Sequence, residues 1–173
     1  DDDDNDEDDE EEDGRRRLRF ETIGDVAILR APRDLDRAET DWDALAADAR
    51  SILRKNRGIK IVALRAASLS GAARAPGDDD LRILAGPDRS PLVTTVSERG
   101  VRAVADLRRA FFSPRMADER GRLCRAAGEG ERVLVAFAGI GMEGLLLAAR
   151  TPVGKVVLLE AGKEAARCAE LGR

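Results

Sequence analysis

The chain of 173 residues is long enough for one domain, or for one small domain and part of a second, and 43% of its residues are hydrophobic. It contains no histidine, which excludes histidine general bases, Ser-His-Asp triads and histidine-ligated metal ions. Its two cysteines, Cys124 and Cys168, are too few for a disulfide framework or a zinc site. We therefore expect no bound metal, and the two thiols fit a reducing compartment or simply the protein interior.

The net charge of −4 averages two unlike parts of the chain. Residues 1–13 hold 12 acidic groups, which leaves 22 of the 34 acidic residues against all 30 Lys and Arg, a net charge of +8 for the rest. The acidic run contains no apolar residue and predicts a disordered tail over residues 1–14. A basic body is typical of a protein that binds phosphates, and equally of a soluble, Arg-rich surface.

The first folded unit is predicted over residues 15–110, as a small α+β domain with a mixed or antiparallel sheet. Leu18, Phe20, Val26 and Ile28 alternate on either side of "IGD", which predicts a hairpin that ends at Pro32. Apolar residues in "DRAETDWDALAADARSILRK" recur every three or four positions, which predicts a helix stopped by Gly58. Strands follow in "IKIVALRA", after the loop "ASLSGAARAPGDDD" in "LRILAG", and twice in "PLVTTVSERGVRAVADL".

The second unit is predicted over residues 111–173, with elements in the order αβαβα. A helix begins after Ser113 and Pro114, strands follow at 132–137 and 155–160, and further helices at 143–150 and from 163. This order is typical of the first half of a doubly wound parallel sheet, so the predicted fold class is α/β with a Rossmann-like second unit. Two parallel strands do not bury both faces, so we expect the chain to be a fragment of a longer protein. The first residue, Asp rather than Met, agrees with a missing native start.

Three glycines follow the first strand of this unit with the spacing G-x-G-x-x-G: Gly139, Gly141 and Gly144. Glu160 ends the next strand, 21 positions after Gly139. Glycine permits a tight turn with positive φ and lets a ligand approach the backbone, and a carboxylate so placed can accept hydrogen bonds from ribose hydroxyls. The pattern predicts an adenosine-type ligand, either a dinucleotide such as NAD or S-adenosylmethionine, with a tight turn that binds nothing as the alternative.

Five motifs in a fixed order resemble the tRNA (guanine-N1)-methyltransferase family, which modifies the guanine 3′ of the anticodon. They are "ETIGDVAILR", "LRILAG", "TTVSERGV", "FFSPRMADER" and "GERVLVAFAGIG", and they extend the resemblance from Phe20 to Arg173. The resemblance implies an S-adenosylmethionine-dependent enzyme that acts on tRNA, and we expect a monomer without a membrane span. A cytoplasmic location is expected, with mitochondrial or nuclear pools left open.

The resemblance also implies roles for individual residues. Glu119 matches the general base that removes the proton from guanine N1, with a pKa raised by burial near the substrate. A shifted alignment brings Arg74 to the position of an arginine that stabilises charge on the guanine. Phe111 and Arg115 match positions that contact the tRNA substrate in the family. The positions that match contacts to S-adenosylmethionine are Arg120, Phe137, Ala138, Gly139, Gly141, Glu160 and Ala161.

Departures from the family pattern keep other functions open. Val135 stands where the family has Asp, and Gly162 and Lys163 replace Asn and Pro. A further catalytic motif of the family does not occur in the chain, which by itself is expected to be inactive. The alternatives are the related aminocarboxypropyl transferase of wybutosine synthesis, a degenerate paralogue that only binds RNA, and an NAD-dependent dehydrogenase. For Glu119, the alternative is an exposed carboxylate paired with Arg120 or Arg122.

Overall fold

The computed structural model describes residues 19–31, 40–65 and 81–172. Several predictions lie outside these residues: the acidic tail, both ends of the first hairpin at Leu18 and Pro32, the first four residues of the predicted helix at 36–39, and the loop that carries Arg74. The described elements form three sheets and four α-helices.

The first sheet has four strands in the order β1-β2-β3-β4. Their bounds are Phe20–Ile23, Val26–Arg30, Ile61–Arg65 and Leu81–Ala85. The outer pairs are antiparallel and the central pair, β2 with β3, is parallel. The mixed sheet and the hairpin around Gly24 are therefore as predicted from the alternation of apolar residues.

The parallel pair is connected through α1, Trp42–Lys55. The helix begins after Asp41, whose side chain accepts a hydrogen bond from the Ala44 N–H at 2.9 Å, so Thr40 and Asp41 precede the helix that they were predicted to join. It ends at Lys55, the last residue of the predicted segment, where Asn56 caps it with a side-chain hydrogen bond of 2.9 Å to the Ile52 carbonyl. A local side-chain hydrogen bond thus sets each end of the helix.

The predicted second hairpin is present as β5, Val93–Glu98, and β6, Val101–Asp106. Its two-residue turn, Arg99 and Gly100, has φ of 49° and 77°. Positive φ at both positions matches the twist of the flanking strands. The β6 strand packs against two helices of the second predicted unit and so links the two units.

The remaining elements follow the predicted order. A short 3-10 turn at Pro114–Met116 leads into α2, Ala117–Ala126. The strand β7, Arg132–Ala136, is followed by α3, Met142–Arg150. The strand β8, Lys155–Leu159, is parallel to β7 and is followed by α4, Lys163–Leu171. The parallel pairing is as predicted. Ser113 precedes the 3-10 turn, but its side chain makes no capping hydrogen bond. Among the described helices, none combines the length and apolar character that a membrane span requires.

The principal core is one cluster of buried side chains that runs from Ile23 of β1 through Ala103 of β6 to Cys168 of α4. A smaller cluster fills the space between α1 and the other face of the first sheet. The principal core is continuous across residues 110 and 111. The division into two units at that point stays a prediction.

The sheet of β7 and β8 is covered on one face only, among the described residues. Val133, Val135, Val156 and Leu158 are partly buried on the covered face. On the other face Leu134, Val157 and Leu159 are 63%, 44% and 59% exposed. The carboxyl ends of both strands meet at one edge, which is where the glycine turn lies.

Candidate functional site

The glycine turn connects β7 to α3 and contains three residues with positive φ: Phe137 at 60°, Gly139 at 55° and Gly141 at 81°. Gly141 is the N-cap of α3, and a Cβ there would lie 2.9 Å from the Cβ of Ala169. A Cβ on Gly144 would collide with the Leu158 side chain. Gly141 and Gly144 are therefore needed for close packing of α3, whatever the turn binds.

Gly139 differs from the other two glycines. A Cβ built on it has only one neighbour within 4 Å, the carbonyl oxygen of Phe111 at 3.4 Å. Its φ of 55° still favours glycine, but the space beside it is not filled by a side chain. The backbone at Gly139 is thus open to close approach by a ligand. The same contact brings the segment before α2 to the rim of the turn.

Glu160 follows β8 and holds the glycine turn in place. Its Oε2 accepts a hydrogen bond of 2.7 Å from the Gly139 N–H, and its Oε1 accepts one of 2.7 Å from the Gly162 N–H. A carboxylate oxygen has two lone pairs, so each retains the capacity for one further hydrogen bond. Glu160 can therefore anchor two loops and still accept hydroxyl groups. Its contact with a ribose stays a prediction.

Phe137 is an exposed aromatic residue in a conformation that bulky residues rarely adopt. Phe137 is 89% exposed and its φ is 60°. The next residue, Ala138, is buried and donates its N–H to the Leu159 carbonyl at 3.0 Å, which fixes the turn against β8. Strain of this kind is frequent at ligand sites. Phe137 and the exposed Ala161 lie at the carboxyl edge of the sheet, as expected for cofactor-side residues.

Arg120 lies inside the protein, with 3% of its area exposed. Its Nε and Nη2 donate to the Glu98 carboxylate, Nη2 also donates to the Ser113 carbonyl at 3.0 Å, and Nη1 lies 3.5 Å from Glu143 Oε1. Arg120 therefore connects α2 to β5 and to the first turn of α3, next to the glycine turn. Its contact with a methyl donor stays a prediction.

Sequence reasoning assigned no role to either carboxylate that holds Arg120. Glu98 lies within the quoted segment "TTVSERGV", and Glu143 directly follows the residue that begins α3. Once Arg120 is known to be almost fully buried, a charged partner is expected, because buried arginines are normally paired. Only the packing of β5 against α2 identifies that partner.

Glu119 lies on the exposed side of α2, where its carboxylate accepts hydrogen bonds of 2.6 and 2.7 Å from Arg122. The hydrogen bond from Arg122 lowers the pKa of Glu119, and the same pair raises the pKa of Arg122. The expected rise in pKa by burial is therefore absent in this chain without RNA, and the pairing with Arg122 that was considered as the alternative is present. The role of Glu119 as a base stays a prediction.

The residues that were predicted to contact RNA do not all lie in one place. Phe111 is 39% exposed beside Gly139, while Arg115 is directed towards β1, with its Nε 3.5 Å from Glu21 Oε1. Arg74 lies outside the described residues. No group of three or more potential metal ligands occurs in the described ranges 19–31, 40–65 and 81–172.

A strand, a glycine turn, a helix and an acidic residue after the next parallel strand define the first half of a Rossmann-like nucleotide-binding domain. Comparison with known proteins identifies a particular family within this class. Residues 94–169 match the family model described as the TRM5/TYW2 methyltransferase domain. The chain belongs to this family.

Three relatives illustrate the similarity. The chain is 32% identical over 129 residues to the tRNA (guanine(37)-N(1))-methyltransferase Trm5b of Pyrococcus abyssi, a match that covers 75% of this chain and 36% of that protein. A solved complex of aTrm5 with tRNALeu has a TM-score of 0.75 at 23% identity, covering 90% of this chain and 43% of that one. Methanocaldococcus jannaschii Trm5 in complex with adenosine has a TM-score of 0.68 at 22% identity, with coverages of 90% and 43%. The chain thus spans well under half the length of these relatives.

Proposed function

We propose that the protein acts as a tRNA (guanine-N1)-methyltransferase on guanine 37, with S-adenosylmethionine as the methyl donor. The observation that carries the proposal is the glycine turn anchored on Glu160 in a member of the TRM5/TYW2 family. The Pyrococcus relative is named for this activity, and one structural neighbour is a complex with tRNALeu.

The geometry of the turn fits the adenosine part of the proposed donor. The backbone at Gly139 is open on the side away from Phe111, and both Glu160 oxygens retain acceptor capacity for ribose hydroxyls. Gly162 departs from the family pattern, but its N–H holds Glu160 in position, so this departure preserves the acceptor. A neighbour with the same fold is a complex with adenosine. These points favour a working site over a degenerate one.

The mechanism assigns one task to each residue around the target base. S-adenosylmethionine supplies an activated methyl group. Phe111, whose carbonyl oxygen lies beside Gly139, is proposed to stack on the guanine, and Arg115 and Arg74 are proposed to contact the RNA and to stabilise charge on the base. Glu119 takes the proton from guanine N1, a step worth about 10²–10⁴-fold in rate. In-line positioning of N1 against the methyl group supplies the rest.

The pairing of Glu119 with Arg122 has a consequence for this mechanism. The hydrogen bond from Arg122 keeps the carboxylate ionised, and hence able to accept a proton, down to a pH below its ordinary pKa of 4.5. Transfer of the proton requires the carboxylate to exchange Arg122 for the guanine. Glu119 is half-exposed on the helix surface, so this exchange needs no opening of the core.

Calorimetric titration of the chain with S-adenosylmethionine tests the donor site. The parent chain is expected to bind, and Glu160→Gln to bind at least about tenfold more weakly, because an amide replaces one of two acceptor oxygens. Glu164→Gln is the matched control, since the ion-pair partner of Glu164 among the described residues is Arg167, also on α4. Absence of binding by the parent, or equal binding by Glu160→Gln, would contradict the proposed site.

The reaction is tested in the whole protein with a tRNA transcript that carries guanine 37. The expected product gains one methyl group, and a transcript with adenine at that position gains nothing. A mass increase that corresponds to an aminocarboxypropyl group would assign the wybutosine-pathway reaction instead. Full methylation by Glu119→Gln at saturating substrate would exclude Glu119 as the base.

A further inference from the structure

A group of three arginine side chains lies at the end of α3 that is opposite to the glycine turn. Arg99 from the β5–β6 turn, Arg125 from the last turn of α2 and Arg150 at the end of α3 line a pocket of about 370 Å³ together with Gly121 and Cys124. We call this group the arginine pocket. Three separate elements contribute one arginine each, so the cluster is a product of the tertiary fold.

Two glycines make room for the arginines of this pocket. A Cβ on Gly121 would lie 2.5 Å from Arg99 Nη2, and a Cβ on Gly100 would lie 2.5 Å from Arg150 Nη2. Arg150 Nη2 also donates a hydrogen bond of 2.7 Å to the Arg99 carbonyl. Arg99 and Arg150 therefore have defined contacts, while all three arginines of the pocket remain exposed to solvent.

The pocket brings together three arginines that have no carboxylate partner in the part of the chain that the structure describes. Within the described residues, none of its three guanidinium groups forms an ion pair with a carboxylate. Ion pairs occur at some of the other described arginines, namely Arg30, Arg89, Arg108, Arg115, Arg120, Arg122 and Arg167, but not at all of them. Arg125 and Arg150 lie at helix C-termini, where a cation is favourable, but that does not account for Arg99. Like charges held together repel one another, and a bound anion offsets that repulsion.

We propose that the arginine pocket binds a backbone phosphate of the RNA substrate. Guanidinium groups bind phosphate oxygens with paired hydrogen bonds, and convergent arginines are typical of phosphate recognition. The inference rests on the proposed function, since it takes the substrate to be RNA. The nine residues of α3 separate the pocket from the glycine turn by about 13 Å. A nucleic-acid strand covers that distance in a few nucleotides, at roughly 3.4 Å each.

RNA binding by single variants tests the pocket. The full chain and its Arg99→Gln, Arg125→Gln and Arg150→Gln variants are titrated with a fluorescent tRNA transcript at a series of salt concentrations. Each variant is expected to bind roughly three- to tenfold more weakly, and its salt slope to decrease by about 0.7–0.9, the value for one lost phosphate contact. Arg54→Gln, at the exposed end of α1, removes the same charge elsewhere and is the matched control. Pocket variants that behave like this control would overturn the proposal.

Backbone amide signals in NMR spectra separate this inference from the proposed function. Gly100 and Gly121 adjoin the arginine pocket, whereas Gly139 and Gly141 report on the glycine turn. RNA is expected to shift the first pair, and S-adenosylmethionine the second. If RNA shifts Gly100 and Gly121 while S-adenosylmethionine shifts nothing, the pocket is supported and the proposed methyl donor is not. If RNA leaves Gly100 and Gly121 unchanged, the pocket is overturned whatever the donor does.

Discussion

Arg120 of α2 and Glu98 of β5 form a buried ion pair. Arg120 Nε donates to both oxygens of Glu98 at 2.9 and 3.0 Å, and Nη2 donates to Oε2 at 2.6 Å. The side chains are 3% and 10% exposed. The pair links the β5–β6 hairpin to the helix that carries Glu119, and a weaker contact with Glu143 extends it to the start of α3. The pair thereby connects, beside the glycine turn, elements from both sides of the predicted domain boundary.

Removing one partner of this pair is expected to be strongly destabilising. Arg120→Gln leaves Glu98 charged and without its arginine partner, which costs about 3–5 kcal/mol of unfolding free energy. Chemical denaturation of parent and variant measures the difference. Arg122→Gln, which removes the exposed partner of Glu119, is the control and should leave the stability nearly unchanged. If the two variants are equally stable, the Arg120–Glu98 pair does not hold α2 against β5.

The turn at Asp25 predicts a pH dependence of stability. Burial tends to raise the pKa of Asp25, but hydrogen bonds from Arg89 and Thr94 and the charge of Arg89 outweigh it and lower the pKa below 3.8. Because the folded pKa is the lower one, the stabilisation is complete above the unfolded pKa and is lost as the pH falls through the folded pKa. Asp25→Asn is expected to cost about 1–2 kcal/mol near neutral pH and progressively less in acid.

Denaturation of parent and Asp25→Asn from neutral to acidic pH measures this effect. The two unfolding free energies should converge as the pH falls. Asp88→Asn is the control, because Asp88 is 75% exposed in its pair with Arg108. A constant difference between Asp25→Asn and the parent at every pH would show that the hydrogen bonds to Asp25 do not depend on its charge.

Two glycines with positive φ separate backbone strain from packing. Gly130 has φ of 71° and a Cβ there would have no neighbour within 4 Å, so Gly130→Ala is expected to cost about 1–2 kcal/mol. Gly141 has φ of 81°, and its Cβ would lie 2.9 Å from that of Ala169, so Gly141→Ala should cost about 1–3 kcal/mol more. Thermal or chemical unfolding of both variants provides the comparison. Equal losses would show that α4 can move away from Gly141 without cost.

The exposed face of β7 and β8 predicts self-association of the chain. Leu134, Val157 and Leu159 lie side by side on that face, and contiguous exposed apolar residues favour contacts between molecules. The double variant Leu134→Thr with Leu159→Thr is expected to reduce the association measured by sedimentation velocity, with little change in unfolding free energy. Val93→Thr, at an exposed valine of β5, is the control. A parent chain that is monomeric at all concentrations would instead agree with the monomer expected from the sequence.

The order and type of the elements were predictable from the sequence, because the signals are local. Alternating apolar residues around Gly24 produce the first hairpin, and helical periodicity produces α1. The placement of Glu160 beside Gly139 was also predictable, since the carboxyl ends of adjacent parallel strands meet at one edge. Two local details were missed: α1 begins at Trp42, after a cap at Asp41, and the predicted cap at Ser113 makes no side-chain hydrogen bond.

The tertiary structure alone decided which charged groups meet. Arg120 had been assigned to the cofactor side, yet it is held by Glu98, 22 positions away. Asp25 meets Thr94 across 69 positions, and three elements bring Arg99, Arg125 and Arg150 together. These contacts follow from the packing of the β5–β6 hairpin against α2 and α3 and against the turn between β1 and β2. Ion pairs and hydrogen bonds act over a few ångströms in space, and sequence periodicity carries no information about that distance.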